Sequence, residues 1–179
     1  KKTLKEASVL LANLLNQKKF KNLILLNYSP RLNKFLYWYQ QLIAESLGKN
    51  NKGFLPLISN APKDHHSLLQ LYLDGPRDKF FYVFSESKNK QTQINSKFLD
   101  ENLRFLNKKS LSKIKLAQKN AMTQSLKKNK IPFREIQINK FNEEALGQLF
   151  SYFILETVLI AMNAKINPYD QPAVEQVKI

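Results

Sequence analysis

Two short runs without a polar interruption, Leu23-Ile24-Leu25-Leu26 and Phe80-Phe81-Tyr82-Val83-Phe84, constrain this chain most. A strand that is apolar at every position has no face to offer water, so it belongs inside a sheet covered on both sides. Around these runs, apolar residues recur at helical spacing. Leu4, Ala7, Leu10, Leu11, Leu14 and Leu15 form one such face, and Leu32, Phe35, Leu36, Tyr39, Leu42 and Ile43 form another over residues 31–47. A lysine-rich amphipathic helix is expected at 110–129, and a further helix at 142–163 with Leu146, Leu149, Phe150, Phe153, Ile154, Thr157 and Val158 inward. Shorter strands are expected at 55–59 and 133–138. Asp64 reads as the N-cap of a helix carrying Leu68, Leu69, Leu71 and Tyr72 that ends at Gly75-Pro76, and Gly48 as the residue closing the helix before it. Strands alternating with helices predict an α/β fold, a three-layer αβα sandwich with a mainly parallel, doubly wound sheet. Ligands of such folds collect beyond the carboxyl ends of the strands.

The length, 179 residues, suits one domain, and 43% hydrophobic residues with 11% aromatics is a globular composition. The absence of cysteine removes disulfide and thiolate chemistry and fits a reducing, cytoplasmic setting. No apolar run is expected to reach the roughly 20 residues of a spanning helix, so no membrane partner is expected. The formal charge of +15 invites a polyanion reading. It comes, however, from 25 Lys and only 4 Arg, spread over loops and helix ends, a pattern that fits a solvated surface better than a nucleic-acid site.

Three segments place acid-base side chains at the ends of predicted helices. Ala44-Glu45-Ser46-Leu47-Gly48-Lys49 puts a carboxylate in a last helical turn, with Gln41 one turn earlier on the same face. Asp64-His65-His66-Ser67 holds the two histidines of the chain at the start of a helix. Tyr169-Asp170-Gln171-Pro172-Ala173-Val174-Glu175-Gln176-Val177-Lys178 ends in a lysine. If 171–178 is helical, Gln171, Val174 and Lys178 share a face. Residue pattern alone also fits an exposed carboxylate, polar first-turn histidines and a solvated terminal lysine. Adjacent histidines without a cysteine or carboxylate cluster do not read as a zinc site.

Taken together and in this order, the segments resemble the C-terminal half of the glucose-6-phosphate isomerase family. Glu-Ser-Leu-Gly-Lys resembles the family's Glu-Ser-Asn-Gly-Lys, Asp-His-His-Ser its Asp-Gln-His-Ser, and Tyr169 to Lys178 its C-terminal signature. The resemblance leaves His65 where the family carries Gln. It implies a sugar-isomerase fold that interconverts glucose 6-phosphate and fructose 6-phosphate through an enediol, without metal or organic cofactor. Glu45 would shuttle the proton, His66 and Lys178 would assist ring opening, and Gln41 and Gln171 would contact the sugar. Residues 1–179 would then be the second sugar-isomerase domain of a longer enzyme, with 164–179 as the tail bearing the signature. The partners implied are a sugar-phosphate substrate, a missing N-terminal domain carrying the phosphate loop, and a second copy whose site receives His66. Nucleic acid is not among them. A non-catalytic sugar-phosphate-sensing module of the same fold is the alternative.

Overall fold

The computed structural model describes residues 2–87, 93–95 and 100–176. In chain order it runs α1 (Lys2–Gln17), β1 (Asn22–Asn27), a 3-10 turn (Pro30–Leu32), α2 (Asn33–Leu47), β2 (Leu55–Asn60), α3 (Lys63–Ser67), α4 (Leu69–Asp74) and β3 (Lys79–Glu86). A second 3-10 segment (Glu101–Leu106), α5 (Leu111–Lys128), β4 (Phe133–Ile138), α6 (Glu143–Ala164) and α7 (Pro172–Glu175) follow.

The four strands form one sheet in the order β2-β1-β3-β4, every neighbouring pair parallel. The two uninterrupted apolar runs are its two inner strands, as a doubly covered strand must be. Pro56 lies in β2, at the sheet's edge, where its missing N–H costs no ladder bond. Side chains alternate between two cores. Leu23, Leu25, Phe80, Tyr82 and Phe84 meet α1, α2 and α6 on one face. Ile24, Leu26, Phe81 and Val83 meet Tyr72 of α4 and Met122 and Leu126 of α5 on the other. The result is the three-layer sandwich expected from the alternation.

Phe153 on α6 shows how the first core is made. It is fully buried, and its ring lies 4.3 Å from that of Tyr39 and within 6.3 Å of those of Tyr82 and Phe84. Aromatic pairs at such separations add to their area burial.

Several local expectations need correcting. The helix after β2 is broken at Leu68 (φ −124°) into α3 and α4, and Pro62, not Asp64, occupies the N-cap position. Asp64 has other work: its carboxylate accepts from Asn60 N–H at 2.7 Å and Ser59 Oγ at 3.0 Å, fixing the turn out of β2. The first turn of the helix expected at 31–47 is 3-10. Gly48 does close α2, but not with a left-handed backbone (φ −76°); glycine fits because a Cβ there would lie 2.5 Å from Ala44 O. Finally α6, with 22 residues, is long and apolar enough to cross a membrane by length and composition, contrary to the expectation from sequence. In this fold it lies along α1 and α2 and buries Phe153, Glu156, Thr157, Ile160, Ala161 and Ala164.

Candidate active site

α2 leaves the carboxyl edge of the sheet, where Asn27 Nδ2 donates to Asn33 Oδ1 at 2.7 Å, and runs back against the strands. It ends at the amino edge, just before Leu55 N–H donates to Lys21 O at 2.7 Å. Glu45 sits in its last turn. Gln41, one turn earlier, donates Nε2 to Glu45 Oε1 at 2.9 Å, so in this state the amide holds the carboxylate. Gln41 is exposed and Glu45 half-buried.

The C-terminal segment comes to the same edge. After α6 the chain turns at Lys165 (φ 56°) and lies against the end of α2. Lys49, one turn beyond Glu45, pairs with Asp170 Oδ1 at 2.9 Å and donates to Asn167 O at 2.6 Å. Lys52 donates to Ala164 O at 2.8 Å. Asn167 Nδ2 donates to Asp170 Oδ2 at 2.9 Å and its Oδ1 accepts from Tyr169 N–H at 3.1 Å, which stiffens the turn. The hydrogen bond from Lys49 holds the Asp170 carboxyl below its ordinary pKa. Two of the segments singled out in the sequence are thus physically joined, through the lysine of Glu-Ser-Leu-Gly-Lys and the aspartate of Tyr-Asp-Gln-Pro. The helix that follows is shorter than expected: α7 spans Pro172–Glu175, with Gln171 preceding it as an exposed residue. Lys178 lies outside the described residues, so the shared face of Gln171, Val174 and Lys178 is not established.

His66 is elsewhere. It follows β2 at the carboxyl edge, whereas Glu45 is at the amino edge, twelve helical residues from the start of α2, or about 18 Å along its axis. His66 is exposed, and both histidines fall in the last turn of a five-residue helix rather than opening a long one. Its neighbour is the engaged histidine. His65 Nε2 lies 2.6 Å from the Tyr28 hydroxyl, with the rings edge-on and 5.6 Å apart. Burial lowers the His65 pKa, against the opposing pull of Asp64, and burial raises that of Tyr28.

Two further polar clusters lie outside the candidate site residues read from the sequence. Strand order reverses between β1 and β3, and there Ser29 Oγ donates to Glu86 Oε1 while Arg31 Nη1 pairs with Glu86 Oε2 at 3.4 Å. Further along β3 and β4, the fully buried Glu156 accepts from Arg134 Nη1 at 2.5 Å, Tyr152 Oη at 3.1 Å and Tyr82 Oη at 3.3 Å. Burial pulls the Arg134 pKa down, but Glu156 and Tyr82 outweigh it and hold it above its ordinary value. A cavity of about 530 Å³ opens beside this pair, between β4 and the start of α6. None of Gln41, Glu45, His66 or Gln171 lines it. Among the described residues, no group of three or more His, Asp or Glu is placed to hold a metal ion.

No protein-family model matches the chain. In sequence it is 37% identical to the glucose-6-phosphate isomerase of Methanocaldococcus jannaschii over 161 residues, 87% of this chain and 38% of that protein. It is 35% identical to the glucose-6-phosphate isomerase of Campylobacter jejuni over 165 residues, 87% of this chain and 40% of that protein. In structure it matches a hypothetical protein from Thermus thermophilus with a TM-score of 0.82 at 26% identity, covering 93% of this chain and 42% of that one. A glucose-6-phosphate isomerase from Chlamydia trachomatis matches with a TM-score of 0.74, covering 94% of this chain and 36% of that one; at 17% identity this speaks for the fold alone. The chain spans about two-fifths of the length of these curated relatives.

Proposed function

We propose that this chain, which over most of its length belongs to the glucose-6-phosphate isomerase family, is the second sugar-isomerase domain of an enzyme that interconverts glucose 6-phosphate and fructose 6-phosphate. The observation that carries this reading is the junction at the amino edge, where Lys49 ties Asp170 and Asn167 to the end of α2. It brings Glu45, Gln41 and the root of the Gln171–Lys178 segment to one end of the fold.

The chemistry divides into two steps. Ring opening removes the proton of the anomeric hydroxyl, breaks the bond between the anomeric carbon and the ring oxygen, and protonates that oxygen; His66 and Lys178 share this exchange. Isomerisation then moves one proton between carbons and one between oxygens. Glu45 takes it from C2 while the C1 carbonyl oxygen gains a proton, giving the enediol; the C2 hydroxyl then loses its proton as Glu45 returns its own to C1. A carboxylate suits this task because it can give back what it takes. Gln41 keeps the carboxylate turned toward the site, and Gln171 orients sugar hydroxyls.

Because Glu45 and His66 lie at opposite ends of one domain, the reading requires His66 to come from a second copy in a homodimer. It also assigns substrate phosphate binding to the missing first domain, which accounts for predicted residues lying on the surface of this part rather than in its cavity. A cytoplasmic, glycolytic enzyme without metal or organic cofactor is the corresponding setting. In the full-length enzyme Glu45→Gln should slow isomerisation and solvent exchange of the C2 proton by at least about 10²-fold while fructose 6-phosphate still binds. Near-normal exchange in that variant removes Glu45 from the mechanism.

A further inference from the structure

α3 is a weakly supported element of the fold, because none of its five residues is buried. No buried side chain of its own therefore fixes its rotation about its axis. Two polar anchors do so instead. Asp64 is tied to the backbone of Asn60 and the hydroxyl of Ser59, and His65 to the hydroxyl of Tyr28 at 2.6 Å. Tyr28 is a rigid post: it is 3% exposed, directly follows β1 and belongs to the second core. Successive residues of a helix point about 100° apart, so holding 65 inward sets the direction in which 66 leaves the surface.

We propose that His65 is a positioning residue, whose hydrogen bond to Tyr28 fixes the roll of α3 and thereby aims His66 at the sugar. The proposal rests on the isomerase reading for the task of His66. The bond suits a fixed post, since the tyrosine hydroxyl donates to a bare Nε2 or accepts from Nε2–H, and neither tautomer breaks it. Burial keeps the His65 ring toward its neutral form. A glutamine offers the same donor-or-acceptor choice through its amide.

The test uses the full-length enzyme and separates ring opening, read as exchange between the anomers of glucose 6-phosphate by NMR, from proton transfer, read as solvent exchange at C1 of fructose 6-phosphate, which need not pass through ring opening once the ketose is open. His65→Ala and Tyr28→Phe should each slow ring opening about tenfold, as expected when an acid-base group is misplaced by a fraction of an ångström to an ångström. KM should stay within about twofold. His65→Gln should restore the rate, and the double variant His65→Ala with Tyr28→Phe should be no slower than either single one. Wild-type ring opening in both single variants overturns the proposal, as does a loss in His65→Ala that His65→Gln does not rescue, or losses that multiply in the double variant. Glu45→Gln is the control. If it retains C1 exchange the isomerase reading fails at its base, whereas a His65 result against expectation with an inactive Glu45→Gln refutes only the positioning role.

Discussion

Glu156→Leu would remove the only acid on the buried face of α6 and strand Arg134 against two tyrosines. The Glu156 side chain is wholly buried and accepts from three donors, while the Arg134 side chain keeps 27% of its exposure. Removing one member of a buried ion pair costs about 3–5 kcal/mol, and the partial access of Arg134 to water argues for the lower end. At about 3 kcal/mol, and about 2–4 °C per kcal/mol for a domain of this size, the melting temperature should fall on the order of 10 °C. Adding Arg134→Met takes away the stranded charge and leaves a thioether chain over the rings of Tyr82 and Tyr152, so the double variant should recover most of the loss. Thermal unfolding followed by circular dichroism, on both singles and the double, reads this directly. A Glu156→Leu protein melting within about 2 °C of wild type, or a double variant melting no higher than the worse single, refutes the buried-pair argument.

Phe153→Ala, which empties the centre of an aromatic cluster, should cost about 3–5 kcal/mol in denaturant titration. Lys49→Met should free the C-terminal segment from the end of α2, seen as faster amide exchange over 167–171, and should lower turnover with little change in melting temperature. The His65 pKa is depressed on folding, so in the window from its folded value up to its unfolded value near 6.5 the unfolded chain binds the extra proton; stability present above that window is lost as pH falls through it. The midpoint in urea should therefore drop as pH falls below about 6.5, and His65→Gln should flatten that slope.

The layers of this fold are readable in the chain because strands apolar at every position admit only an inner place in a covered sheet, and helical spacing identifies what covers them. Pro56 likewise belongs at an edge. The break at Leu68 was hidden, since Leu68, Leu69, Leu71 and Tyr72 fit one helix or two equally well, and the roll of α3 depends on Tyr28, an aromatic that reads as ordinary core. The length and apolarity of α6 were understated because Glu156 interrupts the run, yet its charge is neutralised by Arg134 of β4. In the candidate site, Glu45 and Gln41 were legible as neighbours on one helical face. The role of Lys49 was not, because its partners Asn167 and Asp170 lie at the far end of the chain. Helical spacing also suggested one face for Gln171 and Lys178, but a proline at the first helical position leaves Gln171 outside α7.

Subunit complementation tests the central claim, that Glu45 of one copy works with His66 of another. Full-length Glu45→Gln and His66→Ala enzymes, each inactive, are mixed, dissociated and reassociated. If the site is shared between copies, each mixed dimer holds one site with both residues intact, and random pairing returns about a quarter of wild-type activity. No recovery, with mixed dimers present, would contradict the account, because it would place both residues of each site on the same chain.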